Sequence, residues 1–515
     1  MAISSFNHGT RVISVGSEAR SMEVADVSTI GAAVIAPDAD PKVFPVSEPV
    51  AFYTHEADKV AALGTTGTAI DIVNAVRAQG VEAMLVFSRV EEGATPEATM
   101  ANLIGSAASM TGVHALSYAL GHVGVEPDIL LAPGHSAGRV DNAKNPLADA
   151  LQQVAERLRA VAVLDTGGPT REKSLEYRAD FASRYCYLLD PFVRVSSGTD
   201  IITKPASPFA AGLTIKRDKE KGGPYWSPSN QETLGILGTA RPITYFDGEI
   251  DHEANLLNEA GIATFIPARL VQGIGGQFAA NGRILSGNRT TSDDPLWKFI
   301  NVVRTRATIE KTIIRSFRWA NDDNLSVQLV TAVLRTLQEF LDELTVAGAI
   351  LGGRAFWERA TNTNASLRDG KLRVEFDAEE APPLEDLIFG SRRNEQYFDN
   401  LAADIQRRGR GLTGATHDFA HHPGLYALCE RQHQSGARYR DHEAADAGRK
   451  HRRIPARRQR YGDQHHRPGR QAVHHAFQDQ EPHAGNNRLV RWRSRHPLSL
   501  HWSQAHHFRR GRKGT

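Results

Sequence analysis

The segment with the clearest chemical potential is 134–138, which reads GHSAG. It matches the G-x-S-x-G turn that presents a nucleophilic serine at the end of a strand in α/β hydrolases. Asp165 and His252 follow in the order that such a hydrolase needs, and they are the candidates to complete a catalytic triad with Ser136. One function that the sequence allows is therefore that of an α/β serine hydrolase.

The residues around this segment favour a plain turn instead. In a true nucleophile turn the helix begins at the serine, whereas Pro133 precedes the motif and Asn145-Pro146 postpones the next helix. His252 lies between Asp251 and Glu253 at the start of a predicted helix, where capping is the more common role. We therefore interpret the segment as a strand-to-loop connection and predict a chain without enzymatic activity.

Other candidate motifs are incomplete. The glycines of 273–276 lack the spacing of a dinucleotide-binding turn, and 64–67 lacks the lysine of a phosphate loop. The histidines near the carboxyl end have no regular metal-ligand spacing. The sequence thus predicts no catalytic residue, no cofactor and no metal site.

The overall composition suggests a multidomain protein made in a reducing compartment. The 515 residues suffice for two or three domains, and no run of about 18 apolar residues predicts a membrane span. The amino end shows no secretory signal pattern. Cys186 and Cys429 are the two cysteines, too few for a disulfide framework.

The net charge of +2 hides an asymmetry along the chain. Residues 414–515 contain 20 Lys and Arg against 8 Asp and Glu, and 15 of the 21 histidines. Their 8 Ile, Leu and Val residues are too few to build a core. A basic tail of this kind could bind nucleic acid, but it lacks interleaved aromatic residues. We expect residues 406–515 to form a disordered His- and Arg-rich tail after the globular protein.

Short apolar runs alternate with helical patterns over 28–266, which is typical of an α/β layered domain with a largely parallel sheet. The predicted strands are 29–35, 83–87, 128–131, 161–165, 186–189, 243–246 and 263–266. The predicted helices are 67–79, 98–108, 112–121, 145–159, 170–183 and 252–260.

A smaller α+β pattern follows residue 270. We predict a strand over 277–284, one or two helices over 296–319, and a further helix that starts after the polar residues 321–324. Strands are then predicted over 372–376 and 387–389.

Four basic residues share one face of the helix predicted over 296–319, at spacings of seven, four and three: Arg304, Lys311, Arg315 and Arg318. A solvated helix face is one interpretation. Docking onto an acidic protein surface is the other.

The order and spacing of several segments resemble contractile tail sheath proteins of the short type found in simple myophages and R-type pyocins. The resemblance covers about residues 5–405. It includes Asn7-His8-Gly9 with Arg11-Val12-Ile13, Phe44-Pro45, the strand 83–87, DILLAPG at 128–134, SPSN at 227–230, GNRT at 287–290 and WKFINVVR at 297–304.

This resemblance implies an outer α/β domain with subtilisin-like layering, a smaller α+β inner domain near the tail tube, and extended terminal arms. On this basis we predict an arm at 1–25, an outer domain at 26–270, an inner domain at 271–380 and a second arm at 381–405. The resemblance implies arms that donate strands to neighbouring subunits. The matching residues here are Arg11, Val12, Ile13 and Val15 in one arm and Leu387, Ile388 and Phe389 in the other.

The resemblance also implies the partners. Sheath subunits are expected to form stacked hexameric rings around a tail tube protein, between a baseplate and a tail terminator, in a virion or tailocin particle assembled in the bacterial cytoplasm. Neither nucleic acid nor membrane insertion is expected. The basic face Arg304–Lys311–Arg315–Arg318 becomes the candidate tube contact.

The tail departs from this family pattern. Codons exist for residues 475–498 that, when read one base later, encode a segment resembling a tail tube protein, whose gene usually follows the sheath gene. We therefore hypothesise that much of the tail is a frameshift product. The nucleotide sequence tests this, because codon usage that fits the frame as given would contradict it.

Overall fold

The computed structural model of the chain describes residue 22 and residues 28–246, 248–268 and 282–414, with side chains to residue 409. The chain divides into two compact units, Met1–Gly390 and Ser391–Thr515. In chain order, the elements up to residue 204 are β1 (Thr29–Ile35), β2 (Pro49–Tyr53), α1 (Ala57–Ala62), α2 (Thr68–Ala78), β3 (Met84–Val90), α3 (Pro96–Ile104), α4 (Ala119–Val123), β4 (Ile129–Leu131), α5 (Pro146–Leu158), β5 (Val161–Asp165), α6 (Arg171–Arg178), β6 (Cys186–Leu189), β7 (Val193–Ser197) and β8 (Asp200–Lys204).

The remaining elements are α7 (Ser207–Lys221), β9 (Gln231–Thr233), β10 (Gly238–Thr239), α8 (Glu253–Glu259), β11 (Ile262–Pro267), β12 (Arg283–Ser286), α9 (Ile300–Ser316), α10 (Val327–Val346), β13 (Ile350–Phe356), α11 (Asn364–Arg368), β14 (Glu375–Glu380) and α12 (Gln396–Gly414). Three 3-10 turns lie at Gly112–Tyr118, Pro295–Trp297 and Arg318–Ala320. Helix α12 belongs to the second compact unit, and all other elements belong to the first.

A nine-stranded sheet organises the first part of the chain, in the order β2-β3-β1-β4-β5-β6-β11-β12-β9. The pairs from β3 to β11 are parallel, and the outer strands β2, β12 and β9 join antiparallel. A smaller antiparallel sheet has the order β10-β7-β8. This confirms a mixed α/β fold built on a largely parallel sheet.

Strand β1 shows why this sheet is buried on both faces. Its alternate side chains point to opposite faces, so Ile30 and Val34 enter one apolar core while Ala33 and Ile35 enter the other. Parallel strands that are covered by helices on both faces read as continuous apolar runs. The same continuous run made this strand predictable from the sequence.

A third apolar core lies beyond the sheet. Ile309 of α9 packs there with Leu341 and Leu344 of α10 and with Ile350 of β13. Strands β13 and β14 pair antiparallel in a two-stranded sheet, with a register irregularity between Ile350 and Gly352. In the described residues neither strand has a second neighbour, so the sheet has two open edges.

Several predicted elements are confirmed. The strands 29–35, 161–165 and 186–189 have the predicted bounds, and α5 begins where Pro146 follows the cap Asn145. The Asn145 side-chain oxygen accepts hydrogen bonds from the amides of Leu147 and Ala148 at 2.9 and 3.1 Å. This capping satisfies amides that the first helical turn leaves without partners.

The strand predicted over 243–246 is wrong. Thr244 accepts hydrogen bonds from the first turn of α8 instead of pairing with a strand, through its hydroxyl to Glu253 N and through its carbonyl to Ala254 N. The helix α7 was not predicted at all, and neither were strands β2, β7 and β8.

The predictions after residue 270 are partly corrected. The helix expected over 296–319 is α9 flanked by two 3-10 turns. The strand expected over 372–376 shares only its last two residues with β14, which begins at Glu375 and continues to Glu380. Strand β12 overlaps the end of the strand predicted over 277–284. Residues 277–281 of that predicted strand lie outside the described ranges.

The carboxyl-terminal arm, expected to be extended over 381–405, contains helix α12, which continues to Gly414. Residues 381–394 have no regular secondary structure, so Leu387, Ile388 and Phe389 form no strand within the chain itself. In the described ranges, no helix has both the length and the apolar character needed to cross a membrane.

Candidate functional site

Ser136 lies in the interior rather than at an open active site. Its hydroxyl donates a hydrogen bond to Ala132 O at 2.9 Å, and its carbonyl accepts one from the Tyr177 hydroxyl at 2.6 Å. Helix α5 starts ten residues later, as the prolines around the motif predict. The serine therefore closes a turn after β4.

Asp165 and His252 have separate structural tasks. Asp165 accepts hydrogen bonds from the amides of Ala206 and Ser207 at 2.8 and 2.9 Å, so it caps α7 from the end of β5. Burial raises the pKa of this carboxyl to about 6, against hydrogen bonds that lower it. His252 caps α8, because its Nδ1 accepts a hydrogen bond from Asn255 N at 3.1 Å. The hydrogen bonds of Ser136, Asp165 and His252 go to other groups, and these contacts do not form a triad.

The first basic residue on α9 faces inward. Arg304 donates two hydrogen bonds to the carboxylate of Asp218 on α7, at 2.8 and 2.5 Å. The two side chains are 4% and 1% exposed. A bidentate guanidinium–carboxylate pair of this kind satisfies two charges that burial would otherwise penalise.

The second basic residue, Lys311, is equally buried. Its ammonium contacts Asp128 Oδ1 at 2.5 Å and Glu126 Oε1 at 3.3 Å, just before β4. Burial raises the pKa of Asp128 to about 6, although Lys311 opposes that shift. Arg315 also reaches Glu126, at 3.1 Å, with a third of its side chain exposed.

These contacts correct the prediction of a four-residue docking face. The helical spacing is right, but Arg304 and Lys311 bind acidic residues of the same chain and are too buried to contact another protein. Arg315 is partly exposed and Arg318 is exposed, so these two remain candidates for a tube contact. The acidic partners lie 86 to 189 residues away in sequence, and local spacing carries no signal for them.

The other side of α9 contacts the two-stranded sheet. Arg306 donates to Glu380 Oε1 at 2.5 Å and to Ala378 O at 2.8 Å, both on β14. Asn301 donates to Tyr225 O at 3.2 Å and to Ala381 O at 3.0 Å. Helix α9 thus connects the nine-stranded sheet region to β13 and β14, a role that the sequence analysis missed for Arg306.

The segment after β14 exposes apolar side chains. Leu387, Ile388 and Phe389, here called the apolar run 387–389, are 61%, 81% and 83% exposed. Just before them, Glu385 accepts hydrogen bonds from Arg289 and Lys298. Burial opposes the charge of Glu385, but these hydrogen bonds outweigh it and lower its pKa.

Contiguous exposed apolar side chains of this kind are uncommon on the surface of a single soluble chain and are characteristic of interaction sites. The amino-terminal arm residues Arg11, Val12, Ile13 and Val15 lie outside the described residues. Within the described ranges, no group of three His, Cys, Asp or Glu side chains is placed to hold a metal ion.

Comparison with known proteins identifies related families over most of residues 108–392. The phage tail sheath protein central domain matches residues 108–272, and the phage tail sheath C-terminal domain matches residues 292–392. A prophage major tail sheath protein of Pseudomonas aeruginosa is 34% identical over 404 residues, which cover 77% of this chain and 99% of the relative. The tail sheath protein of Escherichia phage P2 is 28% identical and covers 78% of this chain and 99% of the relative.

Solved structures show the same fold at lower identity. The contracted helical sheath of the anti-feeding prophage has a TM-score of 0.54 at 17% identity, covering 75% of this chain and 99% of that chain. The contracted sheath complex of the extracellular contractile injection system PVC has a TM-score of 0.54 at 15% identity, covering 77% and 100%.

Proposed function

This chain belongs to the phage tail sheath family, and from that premise we propose that its subunits join by exchanging strands through the apolar run 387–389. The chain is a structural subunit of a contractile tail, a component of a phage or tailocin-like particle. Its residues must therefore hold many copies together while the assembly changes length.

The observation that carries the proposal is the combination of an exposed apolar run and an unfilled sheet. Among the described residues, 387–389 have no strand partner, and β13 and β14 each present an open edge. An open edge offers unpaired amides and carbonyls that a strand from another chain can fill. Such pairing buries the apolar run and adds main-chain hydrogen bonds between subunits.

The wider assembly follows the family pattern. We propose stacked hexameric rings of this chain around a tail tube, with a baseplate at one end and a terminator at the other. Arg11, Val12, Ile13 and Val15 form the second donated strand, from the amino-terminal arm. Arg315 and Arg318 supply the basic contact with the tube, because they are the members of the predicted face that solvent reaches.

We further propose that the nine-stranded sheet region has the layering of a subtilisin without its activity. The buried, hydrogen-bonded Ser136 and the capping roles of Asp165 and His252 support a non-enzymatic chain. The proposed division remains an outer domain over 26–270 and an inner domain over 271–380, with arms at 1–25 and 381–405.

Negative-stain microscopy of two proline variants of the purified full chain tests strand donation. Ile388→Pro removes an amide that the donated strand needs, so we expect the helical sleeves of the wild type to give way to dispersed subunits. Ile250→Pro is the matched control, because Ile250 is also 81% exposed but lies outside the run. Sleeves of normal length from Ile388→Pro would contradict the proposal.

A further inference from the structure

Glu385 lies in a clamp made by two cations of the same subunit. Arg289 donates to Glu385 Oε1 through Nε at 2.6 Å and to Oε2 through Nη2 at 2.9 Å. Lys298 donates to Oε2 at 2.8 Å. One carboxylate therefore receives three charged hydrogen bonds, which fix its position more tightly than a single contact between mobile side chains.

The two cations, Arg289 and Lys298, are positioned by contacts that do not involve Glu385. Arg289 and Phe299 form an antiparallel bridge, and Thr290 N donates to Lys298 O at 2.8 Å. Arg289 also donates through Nη1 to Glu259 O at 3.1 Å, at the end of α8. The clamp is thus anchored to the nine-stranded sheet region rather than to the segment that it holds.

Beyond Glu385 the chain loses its attachment. Among the described residues, no hydrogen bond joins 386–390 to the rest of the first compact unit. The apolar run begins two residues after Glu385, at most about 7 Å further along an extended chain. Glu385 is therefore the last fixed point before the exposed residues.

We propose that the Arg289–Lys298–Glu385 clamp is the positioning device of the carboxyl-terminal arm, and that it sets where and in which direction the arm leaves its subunit. This inference rests on the proposed strand donation. Because Glu385 is fixed, residue 387 stays within about 7 Å of it, and the apolar run samples only a small volume. The neighbour's open edge therefore meets the apolar run at a high effective concentration. Without the clamp, the arm could pair with incorrect edges or fold back onto its own subunit.

The distinguishing prediction concerns arm mobility and sleeve order at unchanged stability. In Glu385→Gln the side chain keeps its shape but loses the charge that both cations share. Because the clamp is partly exposed, we expect the melting temperature of the unassembled chain to stay close to that of the wild type. We expect cleavage by chymotrypsin at Phe389 to rise about fivefold, and the sleeves to become short or irregular.

Glu176→Gln is the matched control, since Glu176 also accepts a hydrogen bond from a lysine, Lys173, at 2.7 Å, but lies on α6, outside the arm and the β13–β14 sheet. It should change neither cleavage nor sleeve order. If Glu385→Gln matches Glu176→Gln in both measurements while Ile388→Pro still prevents sleeves, the clamp inference is overturned and strand donation stands. If Ile388→Pro forms normal sleeves, strand donation itself fails.

Discussion

Replacing Asp218 by alanine tests whether the basic face of α9 stabilises the subunit interior. The carboxylate of Asp218 accepts two hydrogen bonds from the buried Arg304 guanidinium and one from the Ser28 hydroxyl at 3.0 Å. Removing one member of a buried ion pair costs about 3–5 kcal/mol, because the other charge stays buried and loses that partner. We therefore expect Asp218→Ala to lower the free energy of unfolding by that amount.

This cost converts into a melting shift that calorimetry can measure. Roughly 360 residues that unfold together carry an unfolding entropy of about 0.8 kcal/mol/K, so 3–5 kcal/mol lowers the melting temperature by about 4–7 °C. The assay is differential scanning calorimetry of the unassembled chain, at a concentration where sleeves do not form. Electron microscopy of the same samples verifies that state.

Two further variants show whether the change in melting temperature comes from the buried Asp218–Arg304 pair or from the loss of any carboxylate. Asp377→Ala removes the partner of Arg354 in an exposed pair, 59% and 70% accessible, and should change the melting temperature by about 1 °C or less. The double variant Asp218→Leu with Arg304→Met replaces the pair by apolar groups and should recover most of the loss. A melting temperature of Asp218→Ala equal to that of Asp377→Ala would show that the buried pair does not stabilise the subunit.

Three more predictions concern the tube, the other arm and pH. Arg315→Glu with Arg318→Glu should weaken co-sedimentation of the sheath with tail tubes without preventing sleeve formation, and unchanged tube binding would rule out this contact. Deletion of residues 1–18 should leave a folded subunit that forms no ordered sleeves by microscopy, whereas normal sleeves would exclude strand donation by that arm. The pKa of Asp165 is about 6 in the folded chain, above its usual 3.8, so the folded state binds this proton more tightly. The contribution of Asp165 to the free energy of unfolding should therefore rise by about 3 kcal/mol as the pH falls from above 6 to below 4, and Asp165→Asn should lack it in urea titrations at each pH.

The sheet was predictable because its strands carry their own signal. β1, β5 and β6 are buried on both faces and therefore appear as unbroken apolar runs in the sequence. Helix α7 has no such signal at its start. Its cap residue Ala206 provides no side-chain hydrogen bond, and Asp165 supplies the capping acceptor from 41 residues away. Long-range capping of this kind cannot be read from a local pattern.

The basic face of α9 shows the same limit at the candidate site. Helical spacing correctly places Arg304 and Lys311 on one side of a helix, but it cannot tell whether that side meets water or acidic residues of a distant segment. Here Asp218 and Asp128 occupy it. The exposure of the apolar run 387–389 was predictable in part, since its residues were assigned to an arm from the family resemblance.

The most direct test of strand donation is a helical reconstruction of the assembled sleeve by cryo-electron microscopy, at a resolution that traces the main chain. We expect residues 387–389 of one subunit to lie beside β13 or β14 of a neighbouring subunit, in main-chain hydrogen-bonding register. Density that shows residues 387–389 packed against their own subunit, with the edges of β13 and β14 unpaired, would contradict strand donation.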